Sequence, residues 1–173
     1  YNGVNIIIDN CDIKNFADMN YLFGDNCTIR NCYFYDGSIG GVKVSGGNTN
    51  TFTGGHNLIE NNKFNNLSTR LLCYGTFLSL YKTTCPTVRG NEFYNAKHNM
   101  IGLGGSNDAI LEYNSIHDGV TWTGDMGAIY WNMYPNGIGN EIRNNYFYNN
   151  QSDYGEGWSQ SIFWDDTAPG PYV

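Results

Sequence analysis

Aromatic and acidic side chains are concentrated in two segments near the end of the chain, residues 122–131 and 158–166. These segments contain all four tryptophans together with the carboxylates of Asp125, Asp165 and Asp166, and they contain no Lys or Arg. Aromatic faces beside carboxylates suit a saccharide site, because the rings cover sugar faces and the acids bind hydroxyl groups or cleave a glycosidic bond. The alternative interpretation is structural: the tryptophans cover the end of a core, and the aspartates cap turns.

The elements that must position these residues are indicated by a repeat. The pattern aliphatic-x-x-Asn/Cys-x-Ile/Phe occurs six times, and its Asn or Cys positions are Cys11, Cys32, Asn62, Asn91, Asn114 and Asn145. Neighbouring copies lie 21 to 31 residues apart, a loose period of the size that marks a solenoid. Each copy therefore predicts one turn of a coil, called a rung below.

Each position of the repeat has a physical role. The aliphatic residue and the Ile or Phe fit two short inward-facing strands joined by a sharp corner, with the Asn or Cys inside it. Such a rung cannot bury its apolar face alone, so we expect it to stack on its neighbours at about 4.8 Å per rung. Stacking aligns the four asparagines into a ladder of amide hydrogen bonds. The ladder continues with Cys11 and Cys32, which we expect to be buried, reduced thiols.

A second polar column follows two residues after the Ile or Phe of each repeat. Its members are Asn15, Asp36, Asn66, Asn95, Asp118 and Asn149. Because Asn and Asp favour local turn bonds, this column indicates structure and not chemistry. Further strands with period-two alternation lie between the repeats, at residues 41–44, 77–80, 100–103, 128–131 and 162–165.

Composition agrees with a strand-rich solenoid. Charged residues make up 14% of the chain, against roughly 25% in ordinary globular domains. The chain contains 26 Asn, 22 Gly and 14 Tyr, and no apolar stripe of helical period. Residues 1–173 are predicted to form a single domain of about seven rungs. Because the chain starts and stops close to strands, we expect it to be a piece of a longer protein with further rungs or domains.

Charge and cysteine usage exclude several classes of partner. The net charge is −7 and no basic stripe is present, which argues against nucleic acid and anionic membrane surfaces. No apolar run approaches the ~20 residues of a membrane span. The five cysteines form no C-x-x-C pair and no zinc-type cluster, so no metal or cofactor is predicted. Cys73 and Cys85 flank one predicted strand and are candidates for a disulfide.

Several motifs together resemble a known family. The segments are 98–108, 111–118, 125–130, 140–147 and 162–166. They resemble the core of right-handed parallel β-helix proteins of the pectin-lyase-like superfamily. The order of motifs is most similar to the β-helix glycoside hydrolases that include α-L-fucosidases acting on pectin side chains and some xylanases, over about residues 54–168. The resemblance implies an all-β, right-handed parallel β-helix and a secreted or surface enzyme whose partner is a polysaccharide or oligosaccharide.

The resemblance also implies which acids are essential. In that family they fall in an Asp-x-Gly-Ala-Ile-Tyr motif and an Asp-Asp motif, which here are Asp125 and Asp166, with Asp165 as the rival for the second role. Two departures from the family pattern are Gly124 before the first acid and Ile162-Phe163-Trp164 before the second. The expected sugar platform and auxiliary residues are Trp122, Tyr130, Trp158, Trp164, His98 and Glu156.

Two other functions remain open from the sequence. A non-catalytic structural or adhesive β-helix of an extracellular assembly would use the same Asn ladder but scatter its aromatic residues and acids. A polysaccharide lyase on this fold would need a Lys or Arg base, and Lys82 and Arg89 are the cations near the middle of the chain that are candidates for it.

Overall fold

The computed structural model describes residues 2–131, 137–153, 158–166 and 168. Over these ranges the chain forms short strands and no helix, so no helix there is long and apolar enough to cross a membrane. All strand pairings are parallel, and they build three sheets, here called sheets A, B and C. Successive strands visit the sheets in the repeating order A, B, C, so the chain forms a parallel β-helix, and its parallel crossover connections have the right-handed sense of such units. The fold predicted from the repeat is confirmed.

The strands of each sheet follow the axis of the coil in sequence order. Sheet A consists of β1 (Asn2–Val4), β4 (Asn20–Asp25), β7 (Val42–Ser45), β10 (Leu78–Tyr81), β13 (Ile101–Gly104), β16 (Asp125–Trp131) and β19 (Trp158–Trp164). Sheet B consists of β2 (Ile7–Asp9), β5 (Thr28–Arg30), β8 (Leu58–Glu60), β11 (Thr87–Arg89), β14 (Ile110–Glu112) and β17 (Glu141–Arg143). Sheet C consists of β3 (Asp12–Lys14), β6 (Tyr33–Tyr35), β9 (Lys63–Asn65), β12 (Glu92–Tyr94), β15 (Ser115–Gly119) and β18 (Tyr146–Asn150). The described residues thus form six complete rungs and the sheet A strand of a seventh.

Each rung turns three corners, and a residue with positive φ marks each corner. The C–A corner uses the second polar column, with φ of 54° at Asn15, 55° at Asp36, 49° at Asn66, 58° at Asn95, 51° at Asp118 and 51° at Asn149. The B–C corner uses Asn10, Asn31, Asn61, Gly90, Tyr113 and Asn144 in the same conformation. Asn, Asp and Gly tolerate the left-handed region best, so the high Asn content follows from the number of corners.

The predicted Asn ladder runs inside the B–C corner. Asn114 Nδ2 donates to Asn145 Oδ1 at 2.9 Å, and Asn91 Nδ2 donates to Asn114 Oδ1 at 3.0 Å. Each ladder oxygen also accepts a backbone N–H of the preceding rung, as Asn114 Oδ1 does from Asn91 at 3.0 Å. Asn62, Asn91 and Asn114 are about 1% exposed. The ladder therefore satisfies the buried polar groups of the corner.

The cysteine predictions require two corrections. Cys32 is 2% exposed and its backbone N–H donates to Asn62 Oδ1 at 2.9 Å, as the ladder predicts. Cys11 is exposed, contrary to prediction, because in the structure only one neighbouring rung covers its corner. All five cysteines are free thiols, so Cys73 and Cys85 are not bridged.

Two buried asparagines occupy equivalent positions in the A–B corner and were missed by the sequence analysis. Asn57 Oδ1 accepts the backbone N–H of Cys27 at 2.9 Å, and Asn140 Oδ1 accepts that of Ala109 at 2.9 Å. Their amide nitrogens donate to Gly24 O and Ser106 O, both at 2.8 Å. Because the two rungs between them carry Pro86 and Ala109 at this position, the column is interrupted and has no simple sequence period.

The interior is filled by the inward residues of all three sheets. The inward phenylalanines of sheet C stack face to face, with ring centroids 5.0 Å apart for Phe34 and Phe64 and 4.6 Å apart for Phe64 and Phe93. All three rings are at most 1% exposed. The apolar core is therefore built like the Asn ladder, with the same type of side chain stacked on successive rungs.

The outward side of sheet B carries a column of charges whose sign alternates from rung to rung. In register order the column is Asp9, Arg30, Glu60, Arg89, Glu112 and Arg143. Its ion pairs join Arg30 to Asp9 at 2.8 Å, Arg89 to Glu60 at 2.9 Å and Arg143 to Glu112 at 3.0 Å. Three of the four arginines of this acidic chain are thus engaged in ion pairs on one face.

Candidate functional site

The outward side of sheet A contains a pocket whose floor is made by glycines. Register places Ser79, Gly102 and Tyr130 side by side on β10, β13 and β16, facing outward. Gly102 and Gly104 contribute no side chains, so the sheet surface is open between its neighbours. The resulting pocket has a volume of ≈ 260 Å³ and is lined by Tyr74, Thr76, Ser79, Tyr81, His98, Asn99, Gly102, Leu103, Gly104 and Tyr130.

Tyrosines form the walls of this pocket. Tyr81 lies on the β10 side and Tyr130 on the β16 side, while Tyr74 comes from the C–A corner and is 82% exposed. The centroid of the Tyr74 ring is 5.4 Å from that of His98. Tyrosine offers a flat apolar face together with a hydroxyl group, so such walls can contact both the C–H face and the hydroxyl groups of a sugar.

A hydrogen-bonded triad of Thr76, Asn99 and His98 forms the polar end of the pocket. His98 Nδ1 lies 2.8 Å from Asn99 Oδ1, and Thr76 Oγ1 donates to the same oxygen at 3.1 Å. Because a carbonyl oxygen only accepts, Nδ1 carries the proton, and neutral His98 has Nε2 as an acceptor. Burial lowers the pKa of His98, and its bond to Asn99 opposes that shift. The pocket therefore has a neutral, orientated imidazole at its edge.

One carboxylate is linked to the pocket through Tyr130. The Tyr130 hydroxyl donates to Asp165 Oδ2 at 2.9 Å, and the backbone N–H of Asp166 donates to Asp165 Oδ1 at 2.7 Å. Asp165 directly follows β19 and is partly buried, whereas Asp166 is exposed and has a φ of 51°. Of the two adjacent aspartates, Asp165 is the one that the structure connects to the pocket wall.

The structure does not bring Asp125 to the same place. Asp125 begins β16 and is in register with Trp158, the first residue of β19. Asp165 lies seven residues beyond Trp158, which at about 3.3 Å per residue corresponds to roughly 23 Å along the strands. Glycosidase carboxylate pairs are roughly 5 to 9.5 Å apart. Asp125 and the Asp165–Asp166 pair therefore lie at opposite ends of the neighbouring strands β16 and β19.

The remaining aromatic candidates are dispersed. Trp164 is 48% exposed at the end of β19, next to Asp165. Trp122 is 41% exposed at the C–A corner, where its ring centre is 6.0 Å from Lys97 Nζ. Trp158 starts β19, but its side chain lies outside the described structure, as does Glu156. Trp131 is 2% exposed and belongs to the core, so only part of the aromatic cluster seen in the sequence is a surface feature.

The cations considered for a lyase also lie apart. Arg89 is on sheet B and pairs with Glu60, while Lys82 follows sheet A with its Nζ 5.4 Å from the centre of the Tyr81 ring. Among the described residues, no group of three or more His, Cys, Asp or Glu side chains is arranged to hold a metal ion.

Sequence reasoning found His98 and Tyr130 but missed the rest of the pocket lining. Thr76, Asn99, Gly102 and Gly104 carry no signal of charge or aromaticity. The available signal was Gly102-x-Gly104 inside a strand, because glycine in a strand interior often marks the close approach of a ligand. Comparison with known proteins adds no function to this geometry, since no protein-family model, no curated protein and no solved structure matches the chain.

Proposed function

We propose that the protein is a carbohydrate-binding β-helix whose primary site is the glycine-floored pocket on sheet A. The observation that carries the proposal is the absence of side chains at Gly102 and Gly104 between the Tyr81 and Tyr130 walls. A sugar ring lying on this floor has aromatic groups at its sides and the Thr76–Asn99–His98 triad at one end. Concave aromatic walls with a few placed polar groups are the usual make-up of a small-ligand site.

Alternative surfaces fit a sugar less well. On the outward side of sheet C, Tyr94, His117 and Tyr148 stack with centroids 5.4 and 4.3 Å apart and interplanar angles of 8°. Rings stacked on one another along the axis cover each other's faces and leave mainly their edges to solvent. Because sugars pack on ring faces, the pocket on sheet A is the better platform.

The test replaces Gly102 by Thr. A Cβ at this position would approach Asn99 Nδ2 to 3.1 Å and Thr76 Cγ2 to 3.2 Å, so it fits after a small shift of two side-chain ends. The threonine then occupies the floor of the pocket. Thr favours strands and Gly does not, which offsets the cost of that shift, and a thermal melt checks that the variant is folded.

Binding is measured by affinity electrophoresis against xylan, fucosylated xyloglucan and rhamnogalacturonan. We expect Gly102→Thr to weaken binding at least ~10-fold, the loss of a contact worth ~1.4 kcal/mol. Tyr21→Thr, an outward substitution on β4 of the same sheet, is the control and should bind normally. Equal binding by parent and Gly102→Thr would refute the assignment of this pocket.

Hydrolysis at the same pocket is a second candidate function, supported by the bond from Tyr130 to Asp165. The motif resemblance to β-helix glycoside hydrolases of the pectin-lyase-like superfamily supports it too, and implies an extracellular or cell-surface location. Asp165 would act as one carboxyl group, and the second would have to come from nearby, with Asp166 the adjacent acid. Asp165→Asn should then lower release of reducing sugar by at least ~100-fold without a change in melting temperature.

Asp125→Asn is the informative comparison, because Asp125 is far from Asp165 along the strands. Retained hydrolysis in this variant supports a site built on Asp165, whereas its loss would restore the acid pair indicated by the motifs. If the parent binds sugars without cleaving them, the binding function stands alone. If it binds none of the polysaccharides, the structural or adhesive β-helix becomes the preferred function.

A further inference from the structure

A polar groove lies along the C–A corner, next to the pocket of sheet A. It has a volume of ≈ 430 Å³ and is lined by Asn66, Asn95, Lys97, Asp118, Thr121, Asn149, Gln151 and Asp153. Residues 97–99 separate the two, since Lys97 lines the groove while His98 and Asn99 line the pocket. The groove and the pocket share no lining residue, so the groove is a separate surface feature.

The groove displays one amide or carboxylate per rung along the axis of the coil. Asn66, Asn95, Asp118 and Asn149 occupy equivalent C–A corner positions on four successive rungs, and all have φ between 49° and 58°. Consecutive members are therefore about 4.8 Å apart, the strand spacing of the sheets. This spacing is close to the length of one pyranose residue in an extended polysaccharide.

These side chains are held in place by lateral hydrogen bonds. Asn66 Nδ2 donates to Asp36 Oδ1 at 2.8 Å, and Asn149 Nδ2 donates to Asp118 Oδ1 at 3.1 Å. Asn95 Nδ2 donates to Asn65 Oδ1 at 2.8 Å. Each of these bonds uses one amide hydrogen and fixes the plane of the amide group. The carboxamide oxygen of each asparagine therefore points in a fixed direction. A row of fixed amides loses little conformational entropy on binding a ligand.

The exposed Trp122 directly follows Thr121, which lines the groove, and is called the aromatic rim below. The backbone N–H of Trp122 donates to Lys97 O at 3.0 Å, and that of Thr121 donates to Ala96 O at 3.2 Å, which fixes this corner against the preceding rung. Trp122 is 41% exposed and its ring centre is 6.0 Å from Lys97 Nζ. A large aromatic side chain beside a row of amides is the combination that packs on a sugar face and binds its hydroxyl groups.

We propose that this groove binds a polysaccharide chain running parallel to the axis of the coil, with one sugar residue per rung. Amides both donate and accept, which matches the vicinal hydroxyl groups of neutral sugars. The site is separate from the pocket on sheet A and does not depend on it. In combination the two would hold one polymer at two places and raise its apparent affinity.

The experiment removes the amide while keeping the corner. Asn95→Gly retains the positive φ of 58° without strain, because glycine adopts it freely. Asn61→Gly is the matched control, since Asn61 has a φ of 54° at the B–C corner and lies outside the groove. Trp122→Ala tests the aromatic rim. All three are made in the Gly102→Thr background, so that the pocket on sheet A does not contribute.

The probes are soluble xylan and the cello- and xylo-oligosaccharide series from disaccharide to hexasaccharide. We expect affinity to rise with length up to about four sugars, the span of Asn66 to Asn149, and to fall at least ~10-fold in Asn95→Gly and Trp122→Ala but not in Asn61→Gly. Equal affinity in all variants, or no binding by the Gly102→Thr parent, overturns this proposal. If the unmodified protein binds and Gly102→Thr does not, the pocket on sheet A is supported while the groove proposal is overturned. The two proposals therefore fail separately.

Discussion

Replacing Asn114 by Ala tests whether the Asn ladder holds the rungs together. The amide is 1% exposed and takes part in four hydrogen bonds of 2.9 to 3.0 Å. The substitution leaves the backbone N–H of Asn91 without its acceptor, whereas Asn91 Nδ2 keeps its bonds to Ile59 O and Arg89 O. One fully orphaned buried donor costs roughly 1–3 kcal/mol, so we expect the free energy of unfolding to fall by about 2 kcal/mol.

Asn114→Cys is the graded comparison, because the chain itself places a cysteine in this column. The Cys32 thiol donates to Arg30 O at 3.1 Å and to Ile8 O at 3.7 Å, the same kind of carbonyl partners that Asn91 Nδ2 has, so a thiol can partly replace the amide. We therefore expect Asn114→Cys to be less destabilised than Asn114→Ala. Asn61→Ala is unsuitable as a control because of its positive φ, and Asn61→Gly serves instead.

The measurement is urea unfolding followed by circular dichroism and by tryptophan fluorescence. Coincidence of the two curves is required, since solenoids can lose cooperativity between rungs. An Asn114→Ala midpoint equal to that of the parent at unchanged m-value would refute the ladder argument. Equal losses for Ala and Cys would show that a thiol does not replace the amide at this position of the ladder.

Three further outcomes are expected. Phe64→Ala should lower the free energy of unfolding by about 3–5 kcal/mol in urea titrations, because the ring is fully buried between two others. Glu60→Gln should cost no more than ~1 kcal/mol, and the difference from the parent should vanish in high salt, since Arg89 is 49% exposed. Because burial lowers the pKa of His98, the unfolded chain binds a proton before the folded one does, so stability should decline as pH falls below about 6.5. His98→Gln should flatten that decline in a pH series of thermal melts, and an unchanged slope would contradict the assignment.

The repeat predicted the fold well because it encodes local requirements. An Asn inside a corner and an Ile or Phe two residues later recur wherever a strand must turn and bury one face. The second polar column was also interpreted correctly as a turn signal, since every member has a positive φ. These requirements depend on neighbours in sequence and on identical neighbours one rung away, and both are visible in a single sequence.

The site was less predictable, because it depends on register across rungs of unequal length. Asp125 and Asp165 each belong to a motif near a sheet A strand, but Asp125 begins its strand and Asp165 follows the end of the next. Only the pairing of Asp125 with Trp158 shows that they are far apart. Similarly, Gly102 can be recognised as a pocket floor only when the register shows that Ser79 and Tyr130 flank it.

The alternating charges on sheet B limit how this protein can gain or lose repeats. If the rung that carries Glu60 were deleted, Arg30 would lie beside Arg89, and like charges directly opposite each other destabilise adjacent strands. Deleting that rung and the next would instead bring Arg30 beside Glu112 and keep an attractive pair. This surface therefore tolerates duplication or loss of two rungs at a time. The sequence segment that can be gained or lost in evolution is twice as long as the structural repeat.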